Sequence, residues 1–242
     1  MTNIERIELS LVIPAYNEEQ SIEDCVREAD GVLSKLSGRY EILVVDDGST
    51  DATFDRLRSL KKSVPMLRAV RFKENRGQTT AMAAGFDHAR GEIVVTMDAD
   101  MQNDPADIPA LLERMGEWDV VCGVREGRQD TFVRKASSSI ANAVRNRLTH
   151  KNIRDVGCTL RAYRGEYLRR IKLFEGMHRF LPTLLKLEGA RVIEVPVKHR
   201  PRTKGTNKYG IGNRLFKGLR DLSAVRWMQS RYIRYEVKEE IK

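Results

Sequence analysis

The chain of 242 residues is poor in cysteine: Cys25, Cys122 and Cys158 are scattered, with no CxxC and no histidine at ligand spacing from them. That excludes a disulfide framework and a patterned zinc site, and it implies a reducing compartment. Long apolar runs are missing too. None approaches the ~18 residues of a membrane-spanning helix. The N-terminus MTNIERIELS lacks the charged-then-apolar order of a secretion signal, so the expectation is a protein made and kept in the cytosol. There is no GxxxxGK[ST], no GxGxxG after the first apolar run and no GxSxG, which argues against a P-loop hydrolase and a dinucleotide oxidoreductase. The four histidines, His88, His150, His178 and His199, stand isolated and read as structural or solvated.

What is present suffices for a buried core: 41% of residues are hydrophobic and 32% charged. The net charge of +9 is uneven, because residues 200–242 carry twelve Lys/Arg against four Asp/Glu and so hold +8 of it. Basic character belongs to the C-terminal tail.

Apolar runs of strand length alternate with amphipathic stretches. IELSLVIPAY, YEILVVDD, PMLRAVRF, GEIVVTM and WDVVCGVR read as strands, and helices are expected from about Glu18 to Leu36, over STDATFDRLRSLK, over GQTTAMAAGFDHA and over DPADIPALLERM. This rhythm predicts βαβ units and a mostly parallel, twisted sheet covered on both faces. After about residue 125 the rhythm changes. Helices are expected over 132–149 and 178–188, a short strand or extended piece at CTLRAYR, a strand at ARVIEVPVKHR, a basic loop over 200–209, and then a helix. With no repeat or low-complexity linker, this second part is expected to extend the same sheet.

Ligands of open α/β sheets bind at the carboxyl ends of strands. Three polar clusters fall there: PAYNE (Pro14 to Glu18), DDGSTD (Asp46 to Asp51) and DADMQ (Asp98 to Gln102). Asp98 and Asp100 are two residues apart, so on extended backbone both carboxylates can share a side. With the Gln102 amide they form a hard oxygen set suited to Mg²⁺ or Mn²⁺. The same pattern also suits turn and cap aspartates ahead of Pro105. Of Asp46 and Asp47, adjacent and so facing opposite ways, one is expected to meet a base or ribose and the other to cap the helix starting near Thr50.

Taken together, LVIPAYNEE, EILVVDDGSTD, ENRGQTTAMAAGFDHARGEIVVTMDADMQNDP and GTNKYG resemble family 2 glycosyltransferases of GT-A-type, Rossmann-like fold, in the polyprenyl-phosphate branch typified by dolichol-phosphate mannosyltransferase. The resemblance runs from about Leu9 to Lys208. It implies that Pro14, Tyr16, Glu18, Val44 and Asp46 hold the base and ribose of a nucleotide-sugar. Asp98, Ala99, Asp100 and Gln102 would hold the divalent cation and diphosphate, and Arg202 and Lys208 would close over that diphosphate. Arg125 and Arg134, with a hydroxyl from Ser137, would bind the acceptor phosphate. Asp155 matches an aspartate sometimes given a catalytic role. Here it is expected to orient the sugar or an arginine such as Arg161, because a phosphate monoester with a second pKa of about 6 needs little help from a base. Asn207 stands where relatives often have serine.

The implied reaction is metal-dependent, inverting transfer of a sugar from a GDP- or UDP-sugar to a polyprenyl phosphate. The alternative is a relative acting on a soluble or polysaccharide acceptor. One catalytic domain is expected over 1–209, with a donor half (1–125) and an acceptor half (126–209), followed by a tail over 210–242. In the tail, Ile211, Leu215, Leu219, Leu222 and Val225 form a stripe flanked by Phe216, Trp227, Tyr232, Tyr235 and basic residues, which suits an anionic membrane surface. Relatives often continue into transmembrane helices; without them, anchoring is expected to be peripheral, on the cytoplasmic face, or through a membrane-protein partner or second copy. Nucleic acid is not expected as a partner, since it explains the basic tail but not the acidic cluster.

Overall fold

The computed structural model describes residues 7–36, 39–126, 153–201, 214–233 and 237–240; the helix expected over 132–149 and the basic loop after Pro201 lie outside them. The β-prone runs become the strands β1 (Leu9–Ala15), β2 (Tyr40–Asp46), β3 (Leu67–Arg71), β4 (Ile93–Thr96), β5 (Val120–Arg125), β6 (Arg161–Arg164) and β7 (Val192–Val197). The helices are α1 (Ile22–Leu36), α2 (Thr53–Leu60), α3 (Gln78–His88), α4 (Ile108–Arg114), α5 (Gly165–Leu168), α6 (Leu181–Leu187) and α7 (Arg214–Arg231), with short 3₁₀ turns at Pro105–Asp107 and Met177–Phe180.

One seven-stranded sheet has the order β3-β2-β1-β4-β6-β5-β7. All pairs are parallel except those of β6, which runs antiparallel to β4 and to β5. The expected extension of the sheet is therefore correct, but it is not a simple addition at an edge. β6 is inserted between two strands of the first half, so the sheet shows no break at residue 125.

Strand alternation divides the core into two layers. Leu11, Ile13, Val44, Val95, Met97 and Val121 pack against α1, α2 and α4. Val12, Leu43, Val45, Val94, Val120 and Cys122 face α3, α5 and α6. Within α1, Ile22, Cys25, Val26, Ala29 and Leu33 are buried at helical spacing. Ile22, Val26 and Leu33 each contribute about 1.5–3 kcal/mol on full burial.

Two expectations about the helices change. The first helix begins at Ile22, not near Glu18, because the Glu18 carbonyl accepts from Ser21 and Ile22 N–H and closes the preceding turn. In the tail, Leu222 and Val225 do not face outward. They are buried against Met177, Phe180, Leu184 and Leu187, so this part of the stripe serves the core. Trp227, Tyr232, Ile233 and Val237 remain exposed beside it.

Candidate active site

The first two clusters are knitted together by reciprocal hydrogen bonds. Asn17 N–H donates to Ser49 Oγ (2.9 Å), and Asn17 Oδ1 accepts from Thr50 N–H (2.8 Å). Glu18 N–H donates to Thr53 Oγ1 (2.8 Å), and Glu19 Oε2 accepts from Ala52 N–H (3.1 Å). Asn17 adopts φ 50°, a left-handed conformation that asparagine tolerates. Gly48 has φ 69°, and a Cβ there would collide with the Glu74 backbone, so this turn requires glycine.

Asp46 and Asp47 divide their work differently than expected. Asp47 caps the entry to α3: it accepts from Arg76 N–H (2.7 Å), Gly77 N–H (2.8 Å) and Asn75 Nδ2 (2.9 Å). The helix after the second strand is instead served by Asp51, whose Oδ1 accepts from Thr53 N–H at 3.0 Å. Asp46 is fully buried, and its Oδ1 accepts from Ser49 N–H (2.9 Å). Its Oδ2 lies 3.2 Å from Arg71 Nε but off the hydrogen-bond line, which leaves a buried carboxylate oxygen with acceptor capacity to spare. That fits an aspartate kept for a ligand hydroxyl or base.

Pro14 and Tyr16 are half-buried at the mouth of β1, while Glu18 is buried with Oε2 accepting from Ser21 Oγ (2.8 Å). Val44, also in the expected nucleotide set, has its side chain fully buried in the α1–α2 layer, between β1 and β3 and two residues before Asp46. The Ala99 methyl likewise belongs to that core.

The third cluster follows β4. Asp98 Oδ1 accepts from Gln78 Nε2 (3.0 Å) at the start of α3, and its Oδ2 accepts from Thr159 Oγ1 (2.7 Å). Its backbone N–H donates to Asn103 Oδ1 (3.1 Å). Asp100 Oδ1 accepts from Gln102 N–H (3.1 Å) across Met101, a non-glycine residue held at φ 65°. The Gln102 carbonyl accepts from Arg200 N–H (2.9 Å), and the Arg200 guanidinium pairs with Glu28 (2.7 Å) and Asp104 (2.8 Å). The chain leaving β7 is thereby pinned beside the acidic loop.

Electrostatics show how closely the acids converge. Burial pushes the Asp98 carboxyl up to about 6, the neighbouring Asp100 charge adds to this, and the Thr159 hydrogen bond with the charges of Arg125 and Arg161 offsets part of it. Burial, then Asp100, Glu28, Asp98 and Glu18, push the Cys25 thiol far above its usual range, so that cysteine is inert. Two hard carboxylates crowded in this way fit a divalent cation, which removes their repulsion. Among the described residues no cluster of three or more His, Cys, Asp or Glu is poised to hold a metal.

On the far side of the site, Arg125 leaves β5 and meets Asp155. Arg125 Nε donates to Oδ2 (2.7 Å) and Nη2 to Oδ1 (2.9 Å). Burial alone would raise the Asp155 carboxyl, but the Arg125 hydrogen bonds and charge outweigh it and hold the group below its ordinary value. The arginine that Asp155 pairs with is thus Arg125. Arg161 is buried in β6 and donates from Nη2 to the Val156 carbonyl (2.7 Å). Arg134, Ser137, Arg202 and Lys208 lie outside the described residues.

Gln78, Asn103 and Thr159, which frame Asp98, were not anticipated. Gln78 and Thr159 are 20 and 61 residues away from it, and no local pattern marks them. His178 is structural, as its isolation implied. It sits 2.6 Å from Thr79 Oγ1, and burial, with the charges of Arg179 and Arg161, lowers it to about 3.

Comparison with known proteins extends this picture. Residues 10–172 match the profile described as glycosyl transferase family 2. The dodecaprenyl-phosphate galacturonate synthase of Rhizobium johnstonii is 39% identical over 241 residues, covering 97% of this chain and 70% of that protein. The undecaprenyl-phosphate 4-deoxy-4-formamido-L-arabinose transferase of Edwardsiella ictaluri is 38% identical over 205 residues, covering 84% of this chain and 63% of that protein. The chain thus spans roughly two thirds of these curated relatives. Among solved structures, the mannosyltransferase PcManGT from Pyrobaculum calidifontis, in complex with GDP-Man and Mn²⁺, superposes with TM-score 0.63 at 21% identity, covering 94% of this chain and 65% of that one. Glucosyl-3-phosphoglycerate synthase from Mycobacterium tuberculosis, in complex with Mn²⁺, UDP-glucose and phosphoglyceric acid, gives 0.67 at 21% identity over 92% and 79%. These two establish the fold alone. With its strand-exit clusters, its acidic loop after β4 and a matching stretch that covers most of its length, this chain belongs to glycosyl transferase family 2.

Proposed function

We propose that the protein transfers a sugar from a nucleotide-sugar to a polyprenyl phosphate with inversion at the anomeric carbon. The observation that carries this reading is a juxtaposition: the short segment Asp155–Thr159 touches the acidic pair at one end, through Thr159 and Asp98, and the arginine fork at the other, through Asp155 and Arg125. A cation-and-diphosphate site and a phosphate site would then stand side by side. The relatives named for polyprenyl-phosphate sugar transfer support the acceptor class.

Asp98 and Asp100, with Gln102, would hold Mg²⁺ or Mn²⁺, and the bound ion would supply positive charge to the departing diphosphate. Pro14, Tyr16, Glu18 and Asp46 would seat the nucleoside, with Arg202 and Lys208 closing over the diphosphate. Arg125 and Arg134, with Ser137, would grip the acceptor phosphate, whose oxygen attacks in line. Orientation and charge stabilisation supply the catalysis. Fold neighbours bound to GDP-mannose and UDP-glucose leave both nucleotides compatible with this architecture.

Among the described residues no helix is long and apolar enough to cross a membrane. We assign membrane contact to the exposed Trp227, Tyr232, Ile233 and Val237 with Arg220, Arg226 and Arg231, on the cytoplasmic face. The test is transfer from radiolabelled UDP- and GDP-sugars into an organic-extractable product, on vesicles containing polyprenyl phosphate, with and without Mn²⁺ or Mg²⁺. Metal-dependent label in the lipid phase is expected with one donor. Label appearing only in water-soluble product would overturn the acceptor assignment.

A further inference from the structure

We propose that Asp155 is a positioning residue, which grips one edge of the Arg125 guanidinium so that the other edge faces the acceptor phosphate, and that it takes no proton in the reaction. The inference rests on the acceptor-phosphate reading above and goes beyond it by dividing the donors of a single arginine.

A guanidinium carries five N–H donors in a rigid plane. Asp155 engages the side edge, accepting from Nε at 2.7 Å and from Nη2 at 2.9 Å. Among the described residues nothing else hydrogen-bonds to the Arg125 side chain, so the Nη1–Nη2 edge keeps its donors for a second anion. A phosphate is bound by such a fork through two parallel N–H···O contacts. Both side chains are only 14% exposed, so the pair is largely shielded from solvent.

Asp155 is itself held firmly. Its Oδ2 also lies 3.3 Å from Arg125 N–H, and its Oδ1 accepts from Gly157 N–H at 3.1 Å, so each oxygen already has two donors. Little lone-pair capacity is left for a substrate proton. From behind, Glu194 of β7 accepts from the Arg154 and Asp155 N–H groups (2.7 and 3.3 Å). Gly157 completes the clamp. A Cβ there would lie 2.7 Å from Arg125 Nη2, while its backbone is outside the left-handed region, so the guanidinium is the only close obstacle to a side chain.

The chemistry has no need of a base at this position. A lone pair on the acceptor phosphate oxygen forms the bond to the anomeric carbon. The bond from that carbon to the nucleoside diphosphate breaks, and its electron pair leaves with the diphosphate. With a second phosphate pKa of about 6, no proton has to move at neutral pH.

Asp155→Asn and Gly157→Ala separate the two roles. The first removes the carboxylate charge, and the second disturbs the guanidinium while leaving the carboxylate in place. Citronellyl phosphate binding to the full chain would be measured by calorimetry, with citronellol as the phosphate-free control, alongside KM, kcat and the pH profile for lipid transfer. Both variants are expected to weaken citronellyl phosphate binding and raise the acceptor KM on the order of 10- to 100-fold, with the shape of the kcat–pH profile retained. Unchanged binding in Asp155→Asn, with collapsed kcat and a lost acidic limb, and near-normal behaviour of Gly157→Ala would overturn the proposal in favour of a base. If Asp155→Asn fails to fold, normal acceptor binding by Gly157→Ala is sufficient to reject it. Should the wild type bind Mn²⁺ and nucleotide-sugar but not citronellyl phosphate, the acceptor reading fails at its own step, and this inference with it.

Discussion

Asp98 and Asp155 are both aspartates enclosed beside the same short segment, yet their charges are poised in opposite directions. Asp98 is pushed up to about 6 by burial and by the neighbouring Asp100, whereas Asp155 is held below its ordinary value because Arg125 outweighs its burial. The difference lies in the partners, since burial acts the same way on both. One carboxylate is left in deficit, which a cation can relieve; the other is already neutralised and serves to orient its partner.

The largest expected effect breaks the acidic side. Asp100→Ala should lower sugar transfer at saturating Mn²⁺ on the order of 10³-fold, measured as initial rates, with the melting temperature close to that of wild type.

Next comes a gain in stability. Asp98→Asn should stabilise the metal-free protein at pH 7.5 by about 1–2 kcal/mol, allowing for the residual solvent contact of the group. The sign follows from a folded pKa above the unfolded one. Wild type gives up stability as pH rises from 3.8 towards 6, so the advantage of the amide should shrink as pH falls through that window. Denaturant titrations at pH 4.5 and 7.5 test this, and saturating Mn²⁺ should reverse the order of the two proteins.

A smaller change is expected from Thr159→Val, which removes the hydroxyl donor to Asp98. A loss of about 1 kcal/mol and several-fold weaker Mn²⁺ binding would match its role; unchanged Mn²⁺ affinity would mean that Asp98 does not depend on it. Least of all, Arg58→Ala should leave the melting temperature unmoved, because its partner Asp55 is exposed and such pairs contribute little.

Local features of the sequence carried most of this architecture. Strand-length runs ending in polar clusters marked β1, β2 and β4, and the Asp98–Asp100 spacing marked the acidic loop. What stayed hidden depends on tertiary register. Asp46 and Asp47 are adjacent, and only the packing of α3 decides which one caps it. The tail stripe has the periodicity of a surface helix, and the same periodicity suits a helix docked on Phe180 and Leu184. The antiparallel direction of β6 is equally invisible, because a strand of four residues carries no signature of its orientation.

The insertion of β6 also sets an order of events during synthesis. Residues 120–125 are translated well before residues 161–164, but β5 reaches the rest of the sheet only through β6. A nascent chain can therefore assemble β3-β2-β1-β4 and must then wait, with the open edge of β4 exposed, until about 65 further residues emerge. Proteolytic dissection near residue 125 would strand β5 without a neighbour, so the two catalytic halves are better regarded as a single folding unit with a late keystone than as separable modules.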